Sequence, residues 1–193
     1  MKQKPTSGRI VGMFGIPCSG KSTLIDMAVN ASREMIARIS SGDIARRLSQ
    51  EAETKHMAEG NLFPHEDKLR EEILTAIGKR RTSGAEVIIL DGFPRTGEQV
   101  QWMLENQLVG TVYEGCLIKI HIDTNEAIRR ACMRNRDDQD SPDLIIKKID
   151  KQLKMIDELE GWIFRLGVPY YTIHNLSLQH SVENFVRRME LKK

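Results

Sequence analysis

Apolar and polar residues follow two different patterns along the chain. Short apolar runs, several rich in β-branched residues, are separated by longer amphipathic stretches, of which Ser19–Met35 is predicted to be the first helix. Five of the short runs are predicted to be strands: Arg9–Phe14, Met35–Ile39, Glu86–Asp91, Cys116–Ile122 and Val168–Ile173. Strands that alternate with helices predict an α/β fold, with a parallel five-stranded sheet between helical layers.

Two segments depart from this alternation. Residues 40–82 carry helical patterns without a clear strand, which predicts a helical insertion. Residues 134–142 are polar and charged, and Pro142 suits the first position of a new helix. Residues 9–184 are therefore expected to form one domain with these two additions, and residues 1–8 a flexible tail.

Composition narrows the classes of protein to consider. The 193 residues carry a formal net charge of only +2, so no global basic field favours nucleic acid. No apolar run is long enough to span a membrane. The three scattered cysteines have neither metal-ligand spacing nor an even count, which favours a reducing cytoplasm.

The first predicted strand leads into the sequence GIPCSGKS, residues 15–22. Gly15 and Gly20 let a loop turn sharply around a phosphate, and main-chain N–H groups can then point at the anion. Lys21 can reach the β- and γ-phosphates, and the Ser22 hydroxyl can bind Mg²⁺. A strand before this loop and a helix after it are the required context, and both are predicted.

Asp91 ends the clearest predicted strand. A carboxylate beside a phosphate loop can hold Mg²⁺ directly or through water, together with Ser22. The same residue could instead cap the following helix, and the two interpretations are equally good for Asp91 alone. The presence of the loop favours the metal role.

Five arginines suggest a second anion site and a basic cover. Arg46 and Arg95 lie near predicted strand ends, where guanidinium groups could hold a second phosphate opposite the first. Arg130 and Arg134 are four residues apart and share a helical face, and Arg136 follows. Each alone would be read as a solvated surface charge, but their joint occurrence with a phosphate loop favours phosphoryl transfer.

From Ile10 to about Asn184 the chain resembles the adenylate kinases within the nucleoside monophosphate kinase family. The resemblance is carried by GIPCSGKST, SSGDIAR, the run Gly60–Pro64, DGFPRT and RRACMRNRDD. It implies a three-layer P-loop NTPase fold with an NMP-binding insertion at 40–82 and a short lid at 134–142. This lid lacks the cysteine quartet of zinc-bearing members, so no zinc is implied.

The resemblance also implies the reaction ATP + AMP ⇌ 2 ADP with Mg²⁺ and assigns residues to it. The ATP site would comprise Gly15, Pro17, Cys18, Ser19, Gly20, Lys21, Ser22, Thr23 and Arg130. The AMP site would comprise Ser41, Gly42, Arg46, Phe63, Gly92, Arg95 and Gln99, the last matching the glutamine that reads the base. The catalytic charges would be Lys21, Arg95, Arg130, Arg134 and Arg136, and Asp137 and Asp138 would orient the lid arginines or hold Mg²⁺ waters.

Three departures from the family pattern keep alternatives open. Cys18 and Ser22 replace small or glycine residues of the loop, and Ile149 stands where a further arginine is expected after a Lys-Lys pair. A CMP/UMP kinase or another small-molecule kinase is the first alternative, and a nucleotide-binding sensor with weak catalysis is the second. The short lid favours a monomer by analogy.

Overall fold

The computed structural model describes residues 8–51, 63–110, 115–133 and 142–188. Within these ranges the strands are β1 (Arg9–Phe14), β2 (Ile36–Ser40), β3 (Val87–Asp91), β4 (Gly115–His121) and β5 (Tyr170–His174). The helices are α1 (Lys21–Ala31), α2 (Ser41–Glu51), α3 (Glu66–Thr82), α4 (Gly97–Glu105), α5 (Thr124–Met133), α6 (Pro142–Leu166) and α7 (Leu178–Arg188).

All the strand pairs are parallel, in the order β2-β3-β1-β4-β5, so the predicted five-stranded α/β fold is confirmed. β1 pairs with β3 on one side and with β4 on the other, which makes its carboxyl end the point where the strand order reverses. In open parallel sheets ligands bind beyond the strand ends at such a point. The fold therefore directs attention to the loop after β1.

The five observed strands overlap the predicted ones, and the boundaries differ for local reasons. β1 matches its prediction residue for residue. β5 begins at Tyr170, after Pro169, which has no N–H to donate to the sheet.

The first helix is shorter at both ends than the predicted Ser19–Met35. It begins at Lys21 because Gly20 holds the left-handed φ of 88°, which keeps Ser19 in the loop. It ends at Ala31, since Ser32 has extended backbone and the following residues lead into β2. The prediction extended the helix into residues that belong to its connections.

Two clusters of buried apolar side chains lie on opposite faces of the sheet. In β3, Ile88 and Leu90 belong to one cluster and Val87 and Ile89 to the other, as expected for a strand covered on both sides. The first cluster includes side chains of α3, α4 and α6, and the second those of α1 and α7. This three-layer arrangement fixes the strand ends that carry the polar residues.

Between β2 and β3 the described chain contains α2 and α3, in the region predicted to be helical. The Ser40 hydroxyl accepts a hydrogen bond from the Asp43 N–H at 3.2 Å and so caps the start of α2. Residues 52–62, between the two helices, lie outside the described residues. Among the described helices none combines the length and the apolar character needed to cross a bilayer.

Candidate active site

The loop after β1 is organised around Lys21. Its ammonium group donates to the carbonyls of Gly15 (2.8 Å) and Ile16 (2.9 Å) and to the Ser19 hydroxyl (3.2 Å). These bonds hold the ammonium group of the lysine within the loop, among the loop's own oxygen atoms. A phosphate there would meet a cation that is already positioned.

Two glycines make the close approaches in this loop possible. A Cβ on Gly15 would lie 2.5 Å from the Ile120 carbonyl oxygen, and one on Gly20 would lie 2.4 Å from the Asn175 side-chain nitrogen. Both glycines have positive φ, 150° and 88°, which other residues rarely adopt. These positions therefore need glycine for space and for backbone conformation.

Asn175, which follows β5, holds the far side of the loop. Its side-chain nitrogen donates to the Ser19 carbonyl at 2.7 Å, and its oxygen accepts from the Ser181 hydroxyl at 3.0 Å. Asn175 is 4% exposed and Ser181 is fully buried. A buried amide with both ends bonded fixes the loop firmly against β5.

Ser22 and Asp91 meet beside the loop. The Ser22 hydroxyl donates to Asp91 Oδ2 at 3.0 Å, although the two residues are 69 positions apart in sequence. The parallel register aligns Met13 of β1 with Asp91 of β3, which brings the carboxylate next to the start of the loop. A third residue, Arg38, donates from Nη2 to Ser22 Oγ at 2.9 Å and to Asp91 Oδ2 at 2.5 Å.

The Ser22–Asp91 pair suits a magnesium ion. A hydroxyl and a carboxylate are the hard oxygen ligands that Mg²⁺ prefers, and Mg²⁺ commonly binds through one or two protein oxygens together with phosphate oxygens. Ser22 lies at the start of α1, which follows the phosphate loop, and Asp91 lies beside it at the end of β3, where a nucleotide would bring the ion. The donor set therefore fits Mg²⁺, and Arg38 shares the same two oxygens.

A second pocket lies at the carboxyl end of β3, with about 310 Å³ of empty space that is partly open to solvent. Its lining includes six residues predicted for the acceptor nucleotide: Ser41, Gly42, Phe63, Gly92, Arg95 and Gln99. Ser41 connects the start of α2 to the end of β3, because its hydroxyl donates to the carbonyls of Asp91 (3.1 Å) and Gly92 (2.9 Å). The structure thus brings together residues from α2, the start of α3 and the β3–α4 connection.

Positive charge gathers at one side of this pocket. Arg95 Nε donates to the Gly92 carbonyl at 3.0 Å, and its Nη atoms have no acceptor among the described residues. Burial lowers the pKa of Arg95 and the nearby Arg46 lowers it further, while Asp91 and Glu66 raise it. Arg46 is not among the lining residues, but its Nη1 lies 3.5 Å from the position of a Cβ on Gly42, which lines the pocket. Two guanidinium groups near one pocket favour binding of an anion. Arg46 itself forms an exposed ion pair with Asp43.

The side-chain amide of Gln99 has a fixed orientation at the floor of the pocket. Its Oε1 accepts from the Arg95 main-chain N–H at 2.6 Å, and its Nε2 donates to Glu66 Oε1 at 2.8 Å. The N–H can only donate and the carboxylate accepts, so the two ends of the amide cannot be exchanged. Glu66 is in turn bonded to Arg70 Nε at 3.1 Å.

Of the predicted lid, residues 134–142, only Pro142 is described, and Arg130 lies before it in α5. Arg130 Nε donates to Glu126 Oε1 at 2.8 Å, and its Nη1 lies 3.5 Å from the position of a Cβ on Gly20. Hydrogen bonds from Arg129 and Arg130 lower the pKa of Glu126 to about 2. The guanidinium of Arg130 thus lies beside the phosphate loop.

Several positions named in the sequence analysis add nothing to the site described above. Arg134 and Arg136, with Asp137 and Asp138, lie outside the described residues, as do residues 60–62. Ile149 is fully buried in the core, so this position adds no charge to the site. Their proposed roles, and those of all the other site residues, stay predictions.

Sequence reasoning missed Glu66 and Arg38. Glu66 opens α3 and reaches Gln99, 33 residues away, which no local pattern reveals. For Arg38 a signal existed, because a charged residue inside the apolar run Met35–Ile39 needs a partner at the sheet edge or strand end. Asn175, which is bonded to the phosphate loop, was likewise not among the predicted site residues.

A glycine-rich loop between a buried strand and a helix, with a lysine across it and a Ser–Asp pair beside it, defines a P-loop nucleotide-binding protein. The profile of the family described as "AAA domain" matches residues 14–163, about three quarters of the chain. The chain therefore belongs to this family.

Curated relatives narrow the kind of protein. Adenylate kinase of Helicobacter pylori (strain ATCC 700392 / 26695) is 28% identical over 186 residues, covering 92% of this chain and 93% of that protein. Adenylate kinase of a Nitratiruptor species is 24% identical over 191 residues, covering 92% and 91%. Adenylate kinase of Syntrophomonas wolfei is 39% identical over 99 residues, covering 46% and 42%. The predicted resemblance is confirmed, and the chain is an adenylate-kinase-like protein of the nucleotide kinase class.

Proposed function

We propose that the chain transfers the γ-phosphoryl group of MgATP to AMP and releases two ADP. The observation that carries this proposal is the pair of anion sites at neighbouring strand ends. One would follow β1 and use main-chain groups and Lys21, and the other would follow β3 and use Arg95 with the nearby Arg46. Two such sites at the same sheet edge suit a donor and an acceptor phosphate.

The acceptor pocket favours adenine as the base. Adenine presents an acceptor nitrogen next to the donor amino group at N6, whereas guanine presents a donor at N1 and an acceptor at O6. The fixed amide of Gln99 offers Oε1 to a donor and Nε2 to an acceptor in a set order. This order complements adenine, and a guanine in the same position would need the amide reversed.

The chemistry needs no general base from the protein. The attacking oxygen of AMP belongs to a phosphate monoester, whose second pKa is about 6, so it is largely ionised at neutral pH. The protein's task is to align the two phosphates and to balance charge on the transferring group. Lys21 would balance charge from the loop side, Arg95 from the acceptor side, and Arg130 from beside Gly20.

Ser22 and Asp91 would hold the Mg²⁺ ion that accompanies ATP. When bound, the ion supplies charge neutralisation at the β- and γ-phosphates. Asp91 would act through its carboxylate, which is 8% exposed and thus partly shielded from competing water. The Ser22 hydroxyl would turn from Asp91 toward the ion.

The test is an acceptor panel with ATP, scoring ADP formation and nucleotide affinity. We expect AMP to be used best, ahead of CMP, UMP and GMP.

Lys21→Ala should lower turnover by about a thousandfold, because it removes charge needed in the transition state. Arg95→Ala should raise the KM for AMP and leave ATP affinity within about twofold, because single interactions at a separate site act nearly additively.

Other results of these measurements would indicate a different function. Preferred use of CMP or UMP would identify a pyrimidine nucleotide kinase. Tight binding of ATP and AMP with negligible ADP formation would identify a nucleotide sensor, and the buried Ile149 gives a reason to measure affinity beside turnover. Wild-type rates in Lys21→Ala would refute the assignment of the loop.

A further inference from the structure

The guanidinium of Arg38 contacts the two oxygens, Ser22 Oγ and Asp91 Oδ2, that could bind a metal ion in the ATP site. Its Nη2 is 2.5 Å from Asp91 Oδ2 and 2.9 Å from Ser22 Oγ. The same guanidinium approaches a second carboxylate, with Nη1 at 3.5 Å from Asp26 Oδ1. No part of the proposed phosphoryl transfer uses this cation.

The pairing of β2 with β3 fixes the position of Arg38 in the sheet. β2 pairs with β3 so that Arg38 aligns with Ile89 and Ser40 with Asp91, two residues further along both strands. The Asp91 side chain is 8% exposed and that of Arg38 is 32% exposed, so the carboxylate is shielded from solvent and the guanidinium only partly so. Its Nε is buried without an acceptor among the described residues, a cost that the contacts of the Nη atoms must outweigh.

A divalent ion that bound Ser22 and Asp91 would meet this guanidinium at close range. Like charges repel strongly where solvent is partly excluded, and Arg38 already neutralises the carboxylate that would attract the ion. A nucleotide triphosphate in the loop, in contrast, would gain from a cation at this point, since guanidinium groups bind phosphate oxygens well. The arrangement favours binding of the polyphosphate and weakens, without abolishing, the hold of Ser22 and Asp91 on Mg²⁺.

We propose that Arg38 is a resident cation at the metal position of the ATP site, which makes ATP binding only weakly dependent on Mg²⁺. The inference rests on the proposed function, because it takes ATP as the ligand of the loop. Metal and nucleotide affinities are reciprocally linked, so a cation that neutralises the site must reduce the factor by which Mg²⁺ strengthens ATP binding. Removing the charge should restore that factor.

The test is calorimetric titration of the full chain with ATP, once with excess Mg²⁺ and once with EDTA, for the wild type and Arg38→Gln. Glutamine keeps a hydrogen-bond donor and removes the charge. We expect the ratio of the two dissociation constants (EDTA over Mg²⁺) to be at least about tenfold larger in Arg38→Gln than in the wild type. Arg38→Lys should keep the wild-type ratio, because it keeps the charge.

The matched control is Arg33→Gln, which removes the same charge from an exposed position before β2. It should leave the ratio unchanged. Equal ratios in Arg38→Gln and the wild type, with ATP bound by both, would overturn the role of Arg38 and leave the proposed function intact. A wild-type chain that binds no ATP in either condition would overturn both.

A melting curve first establishes that Arg38→Gln is folded. If Arg38→Gln is unfolded, the test uses the wild type alone, through the ratio of its dissociation constants for ATP with EDTA and with Mg²⁺. A strengthening of ATP binding by Mg²⁺ of less than about tenfold supports the inference, and a larger one contradicts it.

Discussion

At the scale of single residues, Cys18 occupies a conformation that is costly for a side chain. Its φ is 59°, in the left-handed region, where the Cβ comes too close to the following carbonyl. Cys18 is half-buried, and its thiol is unpaired with any other cysteine among the described residues.

Replacing Cys18 by glycine should therefore stabilise the protein. The strain of about 1–2 kcal/mol disappears, and the greater freedom of glycine in the unfolded chain offsets about half of it. We expect the melting temperature to rise by about 2–4 °C in Cys18→Gly. Cys18→Ala is the control, since it removes the thiol and keeps the Cβ; a glycine variant that melts no higher than the alanine variant would contradict the strain argument.

Glu66 is the residue that gives Gln99 its orientation from the pocket side. The carboxylate accepts from Gln99 Nε2 and is itself held by Arg70, so it resists turning away. A neutral side chain of the same shape would weaken this bond, because hydrogen bonds to charged groups are the stronger ones.

Glu66→Gln should accordingly relax the choice of base. We expect the preference for AMP over GMP, measured as the ratio of kcat/KM values, to fall by about tenfold, which corresponds to about 1.4 kcal/mol. Glu71→Gln, on the exposed face of the same helix, should keep the wild-type preference. An unchanged preference in Glu66→Gln would show that Arg95 alone fixes the amide.

The residues that sequence could identify are those whose role depends on near neighbours in the chain. Lys21 and Ser22 follow directly from the spacing of the loop, and Asp91 from the end of its strand. The partners of Gln99 and Asp91 are 33 and 53 residues away, so their identity depends on packing. Glu66 and Arg38 therefore had to come from the structure.

At the scale of elements, α4 and α6 make a close contact that sets the acceptor side of the site. Gly97 opens α4, two residues before Gln99, and a Cβ there would lie 2.1 Å from the Trp162 ring of α6. Apolar packing this tight leaves no room for a methyl group unless a helix or the indole moves. The start of α4 is thus positioned by α6.

Two glycine-to-alanine variants distinguish the effect of this contact on stability from the effect of helix propensity. Gly97→Ala should destabilise the protein by about 1–3 kcal/mol, because it overpacks the contact. Gly161→Ala, on α6 with nothing within 4 Å of its Cβ position, should stabilise it by roughly 1 kcal/mol through helix propensity. Both are measured by denaturant unfolding, and a Gly97→Ala variant as stable as the wild type would show that Trp162 turns away freely.

At the scale of the whole molecule, strand order creates the pair of anion sites. In the sequence β2 lies between β1 and β3, yet β1 and β3 are neighbours in the sheet. Their loops, one ending at Lys21 and the other reaching Arg95, therefore open at the same edge. Residues separated by more than 70 positions become parts of one site.

A dinucleotide that joins two adenosines through a polyphosphate chain should exploit this arrangement. Because its second half binds intramolecularly, we expect it to raise the melting temperature more than ATP and AMP together at equal concentrations. Lys21→Ala and Arg95→Ala should each lose most of this additional rise. A rise no larger than that from ATP alone would contradict two facing sites.

The sequence by itself determined the strands and the phosphate loop, because period and glycine spacing are local properties of the chain, while the residues of the acceptor pocket were implied by its resemblance to a known family and stay predictions. Only the tertiary structure decided where α1 begins and ends, which residue orients Gln99, and that Arg38 lies on Ser22 and Asp91. These are outcomes of strand register and packing between distant segments. Such contacts depend on the whole folded chain, so no pattern along one segment encodes them.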